Sequence, residues 1–163
     1  MLQAAGIISW LALLAFIASA LAAALSDAAR FLIPNRYPAA IALSFLVYAI
    51  AKPAPFWAFG LIVAAATLVI GTVLFARGIV GGGDVKLFSA TALWAGIDQI
   101  ALLAMTTALV GGVLALVRLL PVWLAPAGTA PDNGFAAKLH QPIPFGIAIA
   151  GGGVCVALSR LAT

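Results

Sequence analysis

The chain has 163 residues, of which 66% are hydrophobic and 7% charged, with a mean hydropathy of +1.24 and a formal net charge of +4. Soluble domains run to about 45–50% apolar and about 25% charged residues, so the eight basic and four acidic side chains of this chain cannot cover a water-facing surface. That excludes an ordinary soluble domain, and the long runs of Leu, Ala, Ile and Phe exclude the alternating strands of an outer-membrane barrel. The expected class is all-α, a polytopic membrane protein.

A membrane-spanning helix needs about 20 apolar residues. Dividing the chain at charges, prolines and glycine clusters predicts six spans: 4–25, 39–50, 56–75, 85–97, 100–120 and 143–158. No basic stretch precedes the first, which reads as a helix rather than a signal peptide. The second and fourth fall short of the ~30 Å hydrocarbon core at ~1.5 Å per residue, so they are expected to run into their flanks. A hairpin at Asp98 and Gln99 separates the fourth from the fifth, because one helix there would bury both polar residues in an overlong span. The stretch from Pro121 to Pro142, with Pro126, Gly128 and Pro131 inside it, reads as a flexible connection. In the last span Gly146 and Ala150, and Ala148 and Gly152, recur at a spacing of four, which lets helices pack closely. No internal repeat stands out, and residues 1–163 read as a single transmembrane domain.

Six spans place Arg30, Arg36, Arg77, Lys86, Arg118 and Lys138 on one side and only Lys52 and Arg160 on the other. The positive-inside bias then puts both termini outside and the charged loops in the cytoplasm. Trp10, Trp57 and Trp94 are expected near the outer interface and Trp123 near the inner one. In such a chain the basic residues orient helices and meet lipid headgroups, and nucleic-acid binding is not expected.

The acids can be taken one by one, since there is no Glu and only Asp27, Asp84, Asp98 and Asp132. Asp27 follows the first crossing and Asp84 the third, so both fall at the same face. Carboxylates at that depth are costly and are functional or paired. Two brought together share one proton rather than hold two charges, a state suited to activating water. Gly81, Gly82 and Gly83 precede Asp84 and leave room for a close backbone approach. A purely structural alternative makes Asp84 the cap of the fourth helix and Asp27 a surface acid beside Arg30. Asp98 falls on the outer side and marks a turn, and Asp132 before Asn133 and Gly134 reads as another. His140 and Cys155 are single residues of their type, which excludes an intramolecular disulfide and makes a metal site improbable. Cys155 reads as a small packing residue and His140 as a loop residue.

Three segments together carry a resemblance: Asp27-Ala28-Ala29-Arg30-Phe31-Leu32-Ile33-Pro34-Asn35, then Gly81-Gly82-Gly83-Asp84-Val85-Lys86-Leu87, then Pro142-Ile143-Pro144-Phe145-Gly146. In this order, over nearly the whole chain, they resemble the type IV prepilin peptidases, a family of GxGD aspartyl proteases. The resemblance implies a bacterial inner-membrane endopeptidase that removes the short basic leader of type IV prepilins and pseudopilins at the cytoplasmic face. Asp27 and Asp84 match the family's catalytic pair, one acting as base on water while the other, protonated, polarises the scissile carbonyl, with no metal or cofactor. Gly81 and Gly83 match the motif glycines that shape the substrate path. Lys86 matches a basic position that either tunes the pair and holds substrate or anchors the helix.

The chain lacks the cytoplasmic insertion and paired CxxC motifs of the larger members, which also methylate the new pilin terminus. It is therefore similar to the short peptidases of tight-adherence (Flp-type) systems, and cleavage without methyl transfer is expected. Prepilin leaders, membrane lipids and the pilus assembly machinery are the implied partners. The rival classes are a small proton- or cation-coupled transporter using the same two acids and a noncatalytic assembly subunit.

Overall fold

The computed structural model describes residues 2–51, 56–123 and 143–161, and all regular structure among them is helical. The expected long connection lies outside these residues from position 124 onward, with Asp132, Lys138 and His140, and so does Lys52. Five helices follow in order: α1 (Leu2–Arg30), α2 (Arg36–Ala51), α3 (Phe56–Ala76), α4 (Gly82–Trp123) and α5 (Phe145–Leu161). The stretches Ala5–Arg30, Trp57–Ala76 and Gly82–Leu120 are long and apolar enough to cross a membrane, while α2 and α5 are shorter apolar helices. The helices thus give three long apolar spans where the sequence suggested six.

The first helix runs past the expected end at Leu25 because backbone hydrogen bonding continues through Asp27 and Arg30 despite their charge. It stops where Phe31 turns left-handed, at φ 51°, and donates its N–H back to the Asp27 carbonyl at 2.8 Å. This cap places Asp27 in the last turn of the helix. The third helix ends in a Schellman turn, with Gly78 at φ 71° and the N–H of Ile79 on the Leu74 carbonyl at 3.0 Å.

No loop separates the expected fourth and fifth spans. The helical run is instead broken at Gly96, whose φ of 59° and ψ of −168° are open to glycine and costly for other residues. Asp98, expected to mark the turn, is helical and exposed beyond the break. On a straight helix Asp84 and Thr107 would stand about 35 Å apart. Both line one cavity, so the two arms of α4 fold back on each other. The Arg160 guanidinium of α5 donates to the Trp94 and Ala95 carbonyls, each at 3.2 Å, supplying a donor where the break removes helical ones.

Packing centres on α4, which lies against α2, α3 and α5, while α1 lies against α2 and α5. Small residues set the distances. A Cβ at Gly60 would come within 2.5 Å of the Leu93 carbonyl oxygen, and one at Gly152 within 2.7 Å of Thr107 Oγ1. The small face of α5 is thus spent on contact with its neighbours, as the spacing of four suggested. Trp94 corrects another expectation. It is 1% exposed rather than interfacial, stacks on Phe16 at 4.7 Å, meets Phe45 and Tyr48, and donates its indole N–H to the Ile41 carbonyl at 3.1 Å. An indole with its one donor satisfied inside the bundle has no need of the membrane interface. Trp10 and Trp57 are exposed.

Candidate functional site

The two acids flagged from sequence stand at helix ends that the fold brings together. Asp27 occupies the last turn of α1 and is 6% exposed; Asp84 occupies the first turn of α4 and is half-buried. Ile33 packs against both Gly83, next to Asp84, and Gly146, whose N–H meets Asp27, so the two acids lie at the same end of the bundle.

Each carboxylate is held by the amide end of a helix. Asp27 Oδ2 accepts the N–H of Gly146, the second residue of α5, at 2.7 Å. That N–H is one of the first-turn donors that a helix cannot satisfy internally, and the helix dipole favours an anion there. Asp84 accepts the N–H of Gly81, whose carbonyl in turn accepts the Val85 N–H at 3.1 Å. Asp84 thus supplies the third-residue half of a capping box, Gly81 having no side chain to return the bond, and the structural reading of Asp84 as a cap also holds. The cap fixes where the carboxylate sits.

The glycines act by bulk rather than by dihedral angle, since positive φ among the described glycines occurs at Gly78 and Gly96 and not in the run from Gly81 to Gly83. A Cβ at Gly81 would fall 2.8 Å from Asp84 Oδ2, and one at Gly83 would fall 3.1 Å from Ile33 Cβ. A Cβ at Gly146 would lie 2.9 Å from Asp27 Oδ2 and 3.1 Å from Ile33 Cδ1. Buried Ile33 therefore wedges between the start of α4 and the start of α5, with one acid on each side.

The sequence marked Gly146 as a helix-packing residue and assigned Ile33 no part, and it tied neither to the acids. The available signal was Pro144 two residues before Gly146, a proline at a helix start beside a residue without a side chain. Lys86 points elsewhere than the pair: it is exposed and its Nζ donates to Asn35 Oδ1 at 3.0 Å, tying the start of α4 to the α1–α2 connection. Arg30 and Arg36 are exposed at the same end, where the Arg36 guanidinium donates to the Tyr37 hydroxyl at 2.9 Å and Arg118 sits 5.7 Å over the Phe31 ring. Asp98 lies beyond the Gly96 break, apart from the pair. Among the described residues no three His, Cys, Asp or Glu side chains group as a metal site would require.

A family model described as the type IV leader peptidase family matches residues 14–116. The matched stretch contains both acids, the glycine run and Lys86, and stops before Gly146. The prepilin leader peptidase/N-methyltransferase of Bacillus subtilis (strain 168) is 32% identical over 145 residues, covering 85% of this chain and 52% of the relative. The chain thus spans about half the length of the curated relative it matches. No solved structure matches it. These likenesses favour a protease over an ion-coupled transporter.

Proposed function

From a chain that belongs to the type IV leader peptidase family, we propose a membrane-embedded aspartic endopeptidase that uses Asp27 and Asp84 to cut the leader from prepilins or pseudopilins. The observation that supports this reading is the placing of two carboxylates at one end of the bundle, Asp27 on the Gly146 amide and Asp84 in the first turn of α4 on the wall of a cavity. One carboxylate takes a proton from water as its oxygen attacks the scissile carbonyl carbon. The other, protonated, donates to the carbonyl oxygen. Collapse of the tetrahedral intermediate breaks the C–N bond and returns a proton to the leaving amine.

Orientation follows from charge in the same proposal. Arg30, Arg36 and Lys86, all exposed at the acid end, support an orientation with that end at the cytoplasmic face of a bacterial inner membrane. The two arms of α4 cross separately, and with α2 and α5 they complete six passes. A bare Gly81 leaves room for the Asp84 carboxylate, and a bare Gly83 lets Ile33 pack against the start of α4. Within this proposal the substrate class is the Flp type and the new terminus is left unmethylated.

Co-expression of the chain with candidate Flp-type and other type IV prepilins, followed by mass analysis of the pilin N-terminus, tests this reading. Leader removal by the wild-type chain, absent with Asp84→Asn, is the expected result, with the new terminus unmethylated. Normal processing by the inserted Asp84→Asn variant contradicts the catalytic assignment. A methylated terminus in cells without another methyltransferase contradicts the narrower claim alone.

A further inference from the structure

Beside Asp84 a cavity of about 360 Å³ opens between α3, both arms of α4 and the start of α5. Cavities of ~300–1,000 Å³ are the usual size for binding small ligands or parts of larger ones. Asp84 is its one ionisable wall residue among those described, and Ile70, Leu74 and Phe88 make much of the rest. The two lining threonines offer little polarity. Thr67 turns its hydroxyl onto its own helix, at the Val63 and Ala64 carbonyls, and the Thr107 hydroxyl is buried toward Gly152 of α5. On the second arm Ala104 and Ala108 are exposed and short, and they leave the space open.

We infer that this cavity receives the apolar side chains that adjoin the scissile bond of the protein substrate, and that Ala104 and Ala108 set the size it accepts. The inference rests on the peptidase reading. A peptide bond within reach of Asp84 must carry its flanking residues into the space that Asp84 borders, because consecutive Cα atoms are only about 3.8 Å apart. Basic leader residues do not suit walls that offer a charge partner only at the catalytic carboxylate. They belong outside the cavity, and the apolar residues next to the cut belong inside it. An apolar pocket discriminates by volume, at roughly 10–200-fold per methylene-sized misfit, so filling it changes which substrate is cut.

The test uses the full chain in liposomes of bacterial lipid and two prepilin-like substrates, one with Phe and one with Ala beside the scissile bond. Ala104→Phe and Ala108→Phe are expected to lower kcat/KM for the Phe substrate by about 10-fold or more while sparing the Ala substrate. Ala65→Phe, on an exposed part of α3 outside the cavity lining, is expected to match wild type on both. Ala108→Leu serves where the Phe variants fold poorly. As an independent readout, a cysteine at Thr67 in a Cys155→Ser, Asp84→Asn background is expected to crosslink to a substrate cysteine beside the uncut bond. Unchanged cleavage of both substrates by the folded filled variants, with no crosslink at Thr67, overturns the inference and leaves a lipid-filled groove, while the peptidase reading stands. A wild-type chain that leaves every substrate intact overturns both.

Discussion

The bundle has two contrasting ends. Around Trp94 large side chains meet: Phe16, Phe45 and Tyr48 enclose the indole, Arg160 donates to the carbonyls beside Gly96, and a smaller cavity of about 180 Å³ lies against Tyr48 and Arg160. Around Asp27 and Asp84 the helices approach through glycine, two carboxylates rest on helix N-terminal amides, and a cavity stays open. One end holds the helices in register by volume. The other gives up volume to bring two acids to one end, with Asp27 buried and Asp84 on the wall of the larger cavity. On the proposed reading the chain separates what stabilises from what reacts along the length of the same helices.

That division is broken first at the acids. Asp84→Asn keeps size and loses the acid, and cleavage should fall by about 100- to 10,000-fold. Thermal unfolding in detergent should stay near wild type. Trp94→Ala should do the reverse, costing about 3–5 kcal/mol of stability by leaving a cavity among Phe16, Phe45 and Tyr48. The surviving folded fraction should retain its turnover, and equilibrium unfolding beside activity per folded molecule measures both.

Gly146→Ala sharpens the comparison, because Gly146 is a positioning residue that acts through Asp27. Its new Cβ must move the carboxylate or α5, and kcat should fall about 10- to 100-fold with KM little changed. Gly152→Ala meets an equally tight contact farther along the same helix, at Thr107 and Leu103. It should cost about 1–3 kcal/mol of stability and leave kcat intact. The smallest effect is expected of Lys86→Ala. The exposed bond to Asn35 is worth about 1 kcal/mol or less, so cleavage should change by no more than about fivefold in a kinetic assay.

The sequence made the helical, lipid-facing class plain because so few charges leave no alternative. It also brought Asp27 and Asp84 to one end, since counting crossings survives errors of a few residues. It did not reveal the break at Gly96. A single glycine in a left-handed conformation ends a helix without any polar mark, whereas Asp98 looked like a turn and is helical. Nor does an apolar run say which way a tryptophan faces, so buried Trp94 read as interfacial. The amide of Gly146 was hidden for a different reason. Backbone donors carry no residue type, and only the packing of α5 against α1 aims this one at Asp27.

The central claim is that the two carboxylates act as one unit. Its most direct test is the residual cleavage rate of the liposome-embedded chain carrying Asp27→Asn, Asp84→Asn or both, each verified as folded. All three should fall to one common residual level, since either loss disables the whole pair. A single variant that keeps cleavage within about tenfold of wild type would contradict it, for that acid would then stand outside the chemistry.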